Sequence, residues 1–130
     1  NWPHANIGSD GSLNGRHPRG AGTFPRVLAR YVRDQEALDL VTAIHKMTML
    51  AARHVGIADR GIIKPGGFAD LVLFDPNTVQ DRATIEDPAA LAAGIESVWV
   101  NGVEVYRDGK GSGSFPGSIL MRESLSLSIP

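Results

Sequence analysis

The sequence lacks cysteine and carries no excess of charge of either sign. With no cysteine among its 130 residues, the chain can form neither a disulfide framework nor a thiolate metal site. Thirteen basic and fourteen acidic side chains leave a formal net charge of -1. This balance gives no electrostatic reason to expect nucleic acid or an anionic membrane as a partner. Because proteins without cysteine suit a reducing compartment, we expect a cytoplasmic protein.

Long apolar runs are absent as well. The longest run falls far short of the roughly 20 residues that span a bilayer, and no signal-like segment opens the sequence. The composition that remains is ordinary for a globular domain, with 42% hydrophobic and 21% charged residues. A chain of 130 residues can bury a core. Because it does not begin with methionine, we expect it to be a piece of a longer protein.

The first half of the sequence predicts helices after a loop rich in glycine, asparagine and proline. A helix is expected over 24–34, with Thr23 as its cap and Pro25 in its first turn. A short extended stretch is expected before it, over Ala5–Ser9. A second helix should begin after the cap Asp39, with its buried stripe formed by Leu40, Val41, Ile44 and Met47.

A third helix is predicted over 49–55, capped by Thr48 and ended by Gly56. The second half then predicts β-structure. It contains a short extended stretch at Ile62–Ile63, a turn over Lys64–Gly67, a strand over Asp70–Phe74, an irregular region over 77–94 with a helical turn at Pro88–Ala93, and a hairpin over Val98–Tyr106.

Asn101-Gly102 is the favoured two-residue loop of a β-hairpin. Pairing across this loop predicts that Val100 lies opposite Val103 and that Val98 lies opposite Val105. Trp99 and Glu104 are then expected on the other face. The order of helices first and strands second indicates two structural layers rather than one alternating unit.

Asp10 is the leading candidate for chemistry. It follows Ile7-Gly8-Ser9 and precedes Gly11, where a strand would end and the chain would turn toward a helix. In α/β barrels the active site lies at this end of the strands, and a carboxylate there can move a proton to or from a reacting group. Asp-Gly is also common turn chemistry, so both interpretations remain open from these residues alone.

His17 and Arg19 lie in the same loop, in the motif "HPR". A histidine and an arginine near a carboxylate suit recognition of an anionic substrate group, because arginine can make a bidentate contact. Ordinary solvated charges are the alternative. The other histidines, His4, His45 and His54, show no metal-ligand spacing and are expected to be structural.

Several segments together resemble a known family. These are "GSDG" (8–11), "HPRGAGTFPRVL" (17–28), "IHKMT" (44–48), "RGIIKPGGFADLVLFDPNTV" (60–79) and "VWVNGVEVYRDG" (98–109). They resemble the C-terminal part of N-acyl-D-amino-acid deacylases, the D-aminoacylases of the amidohydrolase superfamily. The "ADLVLFD" segment is shared across the superfamily, whereas "HPR" followed by "GTFPRVL" after "SDG" points to the deacylase branch.

The resemblance implies an α/β fold of which this chain holds a part. Residues 1–56 would form the last strand and closing helices of a TIM-like (β/α)8 metal-dependent hydrolase barrel. Residues 57–122 would form the C-terminal part of a small β-sandwich, and the tail 123–130 matches nothing that we can place. The implied substrate is a small N-acyl-D-amino acid.

The resemblance also implies site residues and a cofactor. Asp10 matches the general acid/base that assists attack of a zinc-bound hydroxide on the amide and then protonates the departing amine. It is at most a weak or indirect metal ligand, because the family's main zinc ligands lie on earlier barrel strands that this chain does not contain. His17 and Arg19 would shape the substrate end of the pocket. The chain alone is therefore expected to be inactive.

Two other functions stay open. The chain could be a non-catalytic module whose exposed strand edges lead it to associate with itself. It could also belong to a hydrolase of the same superfamily that acts on a cyclic amide such as a hydantoin, although the "HPR" and "GTFPR" segments favour the deacylase.

Overall fold

The first half of the chain forms helices and the second half forms an antiparallel sheet, as the sequence predicts. The computed structural model describes residues 2–12 and 15–121. The four strands of the sheet lie in the order in which they occur in the chain. The elements are α1 (Arg19–Arg26), a π-helix that continues it (Val27–Asp34), α2 (Leu40–Met47), α3 (Met49–Val55), β1 (Leu71–Phe74), β2 (Ile95–Val100), β3 (Val103–Arg107) and β4 (Lys110–Gly111).

The first helix begins earlier than predicted. It starts at Arg19 with Pro18 at the N-cap, so the prediction of Thr23 as the cap is wrong. Thr23 lies inside the helix because Pro18 already supplies a helical backbone, with a φ of -59°. Pro25 interrupts the ladder because it has no N–H, and the next residues adopt the wider π-helical form.

The second helix has the predicted cap but a different buried face. The N–H of Thr42 donates to the Asp39 carboxylate over 2.8 Å, which confirms the cap. The buried residues are Ala43 and Lys46, whereas Leu40 is 36% and Val41 is 79% exposed. The predictions for Leu40 and Val41 are therefore wrong. Leu40 is the first residue of the helix, and Val41 lies two positions from Ala43, on another side of the helix.

The third helix ends as predicted at Gly56, which has a left-handed φ of 76°. Thr48 stands at its N-cap position, but no side-chain cap forms. Its hydroxyl instead donates to the carbonyl of Ile44 over 2.6 Å, one turn back in α2. This bond leaves Thr48 at the junction of the two helices rather than at a free helix start.

The hairpin forms at the predicted loop, with φ of 49° at Asn101 and 79° at Gly102. Val100 pairs with Val103, and Trp99 pairs with Glu104, as expected. Val98 pairs with Tyr106 rather than with Val105, because the register shifts between Val98 and Trp99. The predicted pairing of Val98 with Val105 is therefore wrong. A β-bulge places one extra residue on β3.

Three shorter predictions differ from the structure. Ala5–Ser9 and Ile62–Ile63 are not strands, and Pro88–Ala93 forms a turn but no helix. A strand needs a neighbouring ladder, and among the described residues Ala5–Ser9 has none. A bridge between Gln80 and Ala93 draws the ends of the irregular region together instead. The predicted tail 123–130 lies outside the described residues.

Two arginines fasten the first helix to the irregular region before β2. Arg26 forms an ion pair with Asp81 over 2.6 Å, and Arg33 donates to the carbonyl of Val79 over 2.8 Å. The apolar residues buried at this junction and in the helices are small or aliphatic. They are Val27, Leu28, Ala29, Ala43, Val79 and Ala83.

Asp70 fastens the sheet to the loop before it. Its carboxylate accepts a hydrogen bond from the N–H of Asn101 over 2.8 Å and pairs with Arg60. Arg60 also stacks 4.0 Å from the centre of the Phe68 ring. Burial acts to raise the pKa of Asp70, but the bonds from Asn101 and Arg60 outweigh it and leave the pKa lowered.

Across the described ranges, no helix combines the length and the apolar character needed to cross a membrane.

Candidate functional site

Asp10 lies on the loop that leads into α1. Its φ is 49°, a left-handed conformation that aspartate tolerates better than most residues. The loop passes close to the start of α1, since a Cβ on Gly11 would lie 2.9 Å from the Cα of Gly20. The Asp10 side chain is 84% exposed. The backbone position of Asp10 is thus constrained, while its carboxylate remains exposed to solvent.

Arg19, the first residue of α1, contacts Asp10 twice. Its Nη2 lies 2.9 Å from a carboxylate oxygen of Asp10, and its Nε donates to the Asp10 carbonyl over 3.2 Å. Half of the Arg19 side chain is exposed. An exposed ion pair contributes at most about 1 kcal/mol to stability. The pair is therefore open to exchange with an anionic ligand.

His17 is tied to Arg19 through the backbone. The Arg19 N–H donates to Nδ1 of His17 over 3.1 Å. This contact requires a lone pair on Nδ1, so a neutral His17 carries its proton on Nε2. It also satisfies one of the N–H groups that a helix start leaves unpaired. A small cavity of about 80 Å³ lies beside His17 and Arg19, bounded also by Gly22, Thr23 and Arg26.

The structure thus brings the three predicted residues into one cluster. Asp10 and Arg19 are in direct contact, and His17 joins them through the main chain of Arg19. The cluster offers one carboxylate able to exchange a proton and one guanidinium able to bind a carboxylate. The Asp10 carboxylate and the Arg19 guanidinium are both exposed at this loop.

The segment before Asp10 is held by α2 and α3. Lys46 donates from Nζ to the carbonyls of Trp2 and Ala5, over 2.6 and 2.8 Å. The N–H of Ile7 donates to the carbonyl of Lys46 over 3.0 Å. Lys46 is not among the residues that the sequence indicates. Its spacing of three residues from Ala43 places it on the buried face of α2, but the burial of that face is visible only in the fold.

The histidines do not assemble into a metal site. His54 Nδ1 lies 3.2 Å from the side-chain oxygen of Asn6, so it helps to hold the same segment. Within 2–12 and 15–121, no three histidine, aspartate or glutamate side chains come together. A catalytic zinc ion needs three protein ligands, so the described residues alone do not fit this metal.

Comparison with known proteins shows extensive similarity. Residues 4–106 match the amidohydrolase family. The chain is 51% identical over 118 residues to the D-aminoacylase of Alcaligenes xylosoxydans xylosoxydans. The aligned region covers 89% of this chain and 24% of the relative.

Two solved structures show the same fold. A D-aminoacylase described as having a binuclear metal centre matches with a TM-score of 0.79 and 53% identity, over 84% of this chain and 23% of its own. The N-acyl-D-glutamate deacylase of Bordetella bronchiseptica, complexed with zinc and a phosphonate inhibitor, matches with a TM-score of 0.76 and 48% identity. This match covers 83% of this chain and 23% of the deacylase. The chain therefore spans about a quarter of the length of these proteins.

Proposed function

The chain belongs to the amidohydrolase family, and from this premise we propose that it is the C-terminal part of a zinc-dependent N-acyl-D-amino-acid deacylase. The observation that carries the proposal is the exposed Asp10 carboxylate in contact with Arg19, within a region about half identical to D-aminoacylase. In this proposal residues 1–56 complete a hydrolase barrel and residues 57–122 belong to a β-sandwich beside it. The helices of the first region and the sheet of the second support this division.

The proposed reaction is hydrolysis of the amide bond. The oxygen of a water molecule adds to the acyl carbon, the carbon–nitrogen bond breaks, and a carboxylate and a free D-amino acid result. Asp10 takes a proton from the attacking water and delivers it to the departing nitrogen. The second proton of the water passes from the new carboxylic acid to the released amine, so no net proton remains on the enzyme. Asp10 suits this role because 84% of its side chain is open to a bound substrate.

Zinc would be held by residues other than those described, with Asp10 as a weak or indirect ligand at most. When bound, zinc lowers the pKa of a coordinated water to about 7, which supplies a nucleophile at neutral pH. Bound zinc in the Bordetella relative supports this assignment.

Arg19 would bind the carboxylate of the substrate, and His17 would help to shape the same end of the pocket. A guanidinium has five N–H donors, so Arg19 can hold a substrate carboxylate through its terminal nitrogens while Nε stays on the Asp10 carbonyl. The pairing with Asp10 in the free protein supports this role, since it shows that Arg19 reaches the loop that carries the proposed acid/base. His17 would fix the first turn of α1 from which Arg19 extends.

The test is Asp10→Asn in the protein at its native length. We expect turnover of N-acyl-D-amino acids to fall about 100- to 10,000-fold, with zinc content unchanged by elemental mass spectrometry. Asp59→Asn is the matched control, because Asp59 also has a positive φ and an exposed ion pair, with Lys64. Near-normal turnover in the Asp10 variant would refute the role. A substrate panel that includes a hydantoin separates the deacylase from a cyclic-amide hydrolase.

A second candidate is a non-catalytic module that associates with itself. The observation in its favour is β1, which pairs with β2 at one edge and leaves Val72 and Leu73 about half exposed. A native chain of 13.9 kDa without zinc would favour this module, whereas a heavier zinc protein would favour the deacylase. A cytoplasmic location remains a prediction from the absence of cysteine.

A further inference from the structure

Lys46 is a buried cation in an unusual setting. Its side chain lies on the inner face of α2, and the residue is only 7% exposed. In the described ranges, the ion pairs involve other residues, and no aspartate or glutamate pairs with Lys46. Two backbone carbonyls, of Trp2 and Ala5, accept from its ammonium group instead. Burying an ammonium group is costly unless its N–H groups donate hydrogen bonds. The two bonds to the carbonyls therefore offset the cost of burying Lys46.

Lys46 uses its main chain on the same segment. Its carbonyl accepts from the N–H of Ile7 over 3.0 Å. One residue of α2 therefore holds three points along six consecutive residues, at positions 2, 5 and 7. Together with the contact between His54 and Asn6, these bonds tie the segment to α2 and α3.

We propose that Lys46 is a positioning residue, whose buried ammonium group fixes the segment from Trp2 to Ile7 and thereby sets where Asp10 presents its carboxylate. Asp10 follows Ile7 by three residues, which span at most about 11 Å of extended chain. A shift of the segment is passed directly to the carboxylate. A displacement of about 1 Å at a reacting group can lower turnover about 100-fold. The catalytic consequence rests on the proposed function, whereas the structural part does not.

If Lys46 only fills space in the core and does not position the segment, a different result is expected. Methionine has nearly the same length as lysine and no charge, and replacing a buried charge with an apolar residue of similar volume is often neutral for stability. Lys46→Met should then leave the segment and turnover unchanged. If Lys46 positions the segment, the same variant frees the carbonyls of Trp2 and Ala5 and loosens the backbone before Asp10.

The experiment compares Lys46→Met with Lys64→Met in the protein at its native length. Lys64 is the control because it is an exposed lysine, paired with Asp59, in the loop before the sheet. Hydrogen exchange by mass spectrometry is measured over residues 2–12, and kcat and KM are measured with an N-acyl-D-amino acid. We expect Lys46→Met to exchange at least tenfold faster in this segment and to lose at least tenfold in kcat, with KM changed less than threefold.

Three other results for the Lys46 variants would overturn the proposal. Unchanged exchange and kcat would show that Lys46 does not position the segment, and a change in KM alone would assign it to substrate binding. If Lys46→Met does not fold, Lys46→Leu repeats the test, because leucine also lacks N–H donors and is a good helix former. Loss of folding in both variants would make Lys46 a determinant of the whole fold. A wild-type protein that hydrolyses no N-acyl-D-amino acid would refute the proposed function, and the exchange measurement would still decide the role of Lys46.

Discussion

At the scale of single residues, Asp10 shows that turn chemistry and site chemistry are compatible in one side chain. Its left-handed backbone is a conformation typical of loop aspartates, and its carboxylate stands exposed beside Arg19. The sequence predicted Asp10, His17 and Arg19 as a group, and the structure brings them together. It could not predict Lys46, since a lysine on a helix is ordinarily solvated and only the fold shows what its ammonium group contacts.

Arg19→Lys tests the anion-binding role at this scale. Lysine keeps the charge but loses the planar fork, so it cannot hold a substrate carboxylate through two nitrogens while a third nitrogen stays on the Asp10 carbonyl. We expect KM for N-acyl-D-amino acids to rise about tenfold, equal to about 1.4 kcal/mol of binding, with a smaller change in kcat. Steady-state kinetics check this expectation. Arg107→Lys, which affects an exposed pair with Glu104, is the control, and an equal rise in its KM would contradict the role.

Gly94 occupies a position that no other residue fits. Its φ is 72°, and a Cβ would lie 2.5 Å from the backbone nitrogen of Val79. Gly66 has a similar φ of 79° with nothing within 4 Å, so Gly66→Ala should cost only the conformational term of about 1–2 kcal/mol. Gly94→Ala adds an overlap of about 1–3 kcal/mol. Chemical denaturation measures both variants, and equal losses would show that the close approach is not maintained in solution.

At the scale of elements, local signals predicted one helix cap and the hairpin loop correctly but could not predict the shift in strand register. Asp39 and the hairpin loop Asn101-Gly102 are determined by their own side chains and backbone preferences, and both predictions are confirmed. The bulge that sets Val98 against Tyr106 depends on contacts across three strands, so a two-residue loop rule could not reveal it. Among residues 5–9 only Ile7 is a strong strand former, so the extended stretch was predicted from its place before a turn and not from its composition.

The carboxylate of Asp70 predicts a pH-dependent contribution of the sheet to stability. Its folded pKa lies below the unfolded value of about 3.9, so its contribution is present above that value and is lost as the pH falls through the folded pKa. Asp70→Ala should cost about 1–3 kcal/mol near neutral pH, because it leaves Arg60 without its carboxylate and the N–H of Asn101 without its acceptor. The difference from wild type should shrink below about pH 4.

Denaturation curves at pH 7 and at pH 3 measure this difference. A cost that is the same at both values would contradict the role of the ionised carboxylate. A cost that disappears at neutral pH would instead show that Arg60 and Asn101 find other partners.

At the scale of the whole molecule, the described fold leaves much apolar surface open. Several large apolar side chains of the described residues are 79–89% exposed, among them Val41, Ile63 and Ile85. An apolar cavity of about 220 Å³ lies between the first two helices and the sheet, bounded by Phe24, Pro25, Leu28, Ile44, Met47, Thr48, Val72, Phe74 and Ile95. This surface agrees with a chain that spans about a quarter of its relatives.

The 130-residue chain on its own should therefore associate and be inactive. We expect a mass above 13.9 kDa by light scattering after size-exclusion chromatography, because exposed apolar faces favour association. It should hydrolyse no N-acyl-D-amino acid with or without added zinc. A monodisperse monomer would contradict the first expectation, and zinc-dependent hydrolysis would contradict the second.

The contacts of Arg26 and Arg33 with the region before β2 can form only late in synthesis. Arg26 is separated from its partner Asp81 by 55 residues, and Arg33 from Val79 by 46. At about 5–20 residues per second, the ribosome adds those 55 residues in about 3–11 s. For that interval the first helix exists without the acceptors that later hold its arginines, and Pro25 weakens its own ladder. The contacts that hold this helix in the finished protein therefore cannot form until residues 79–81 have been added.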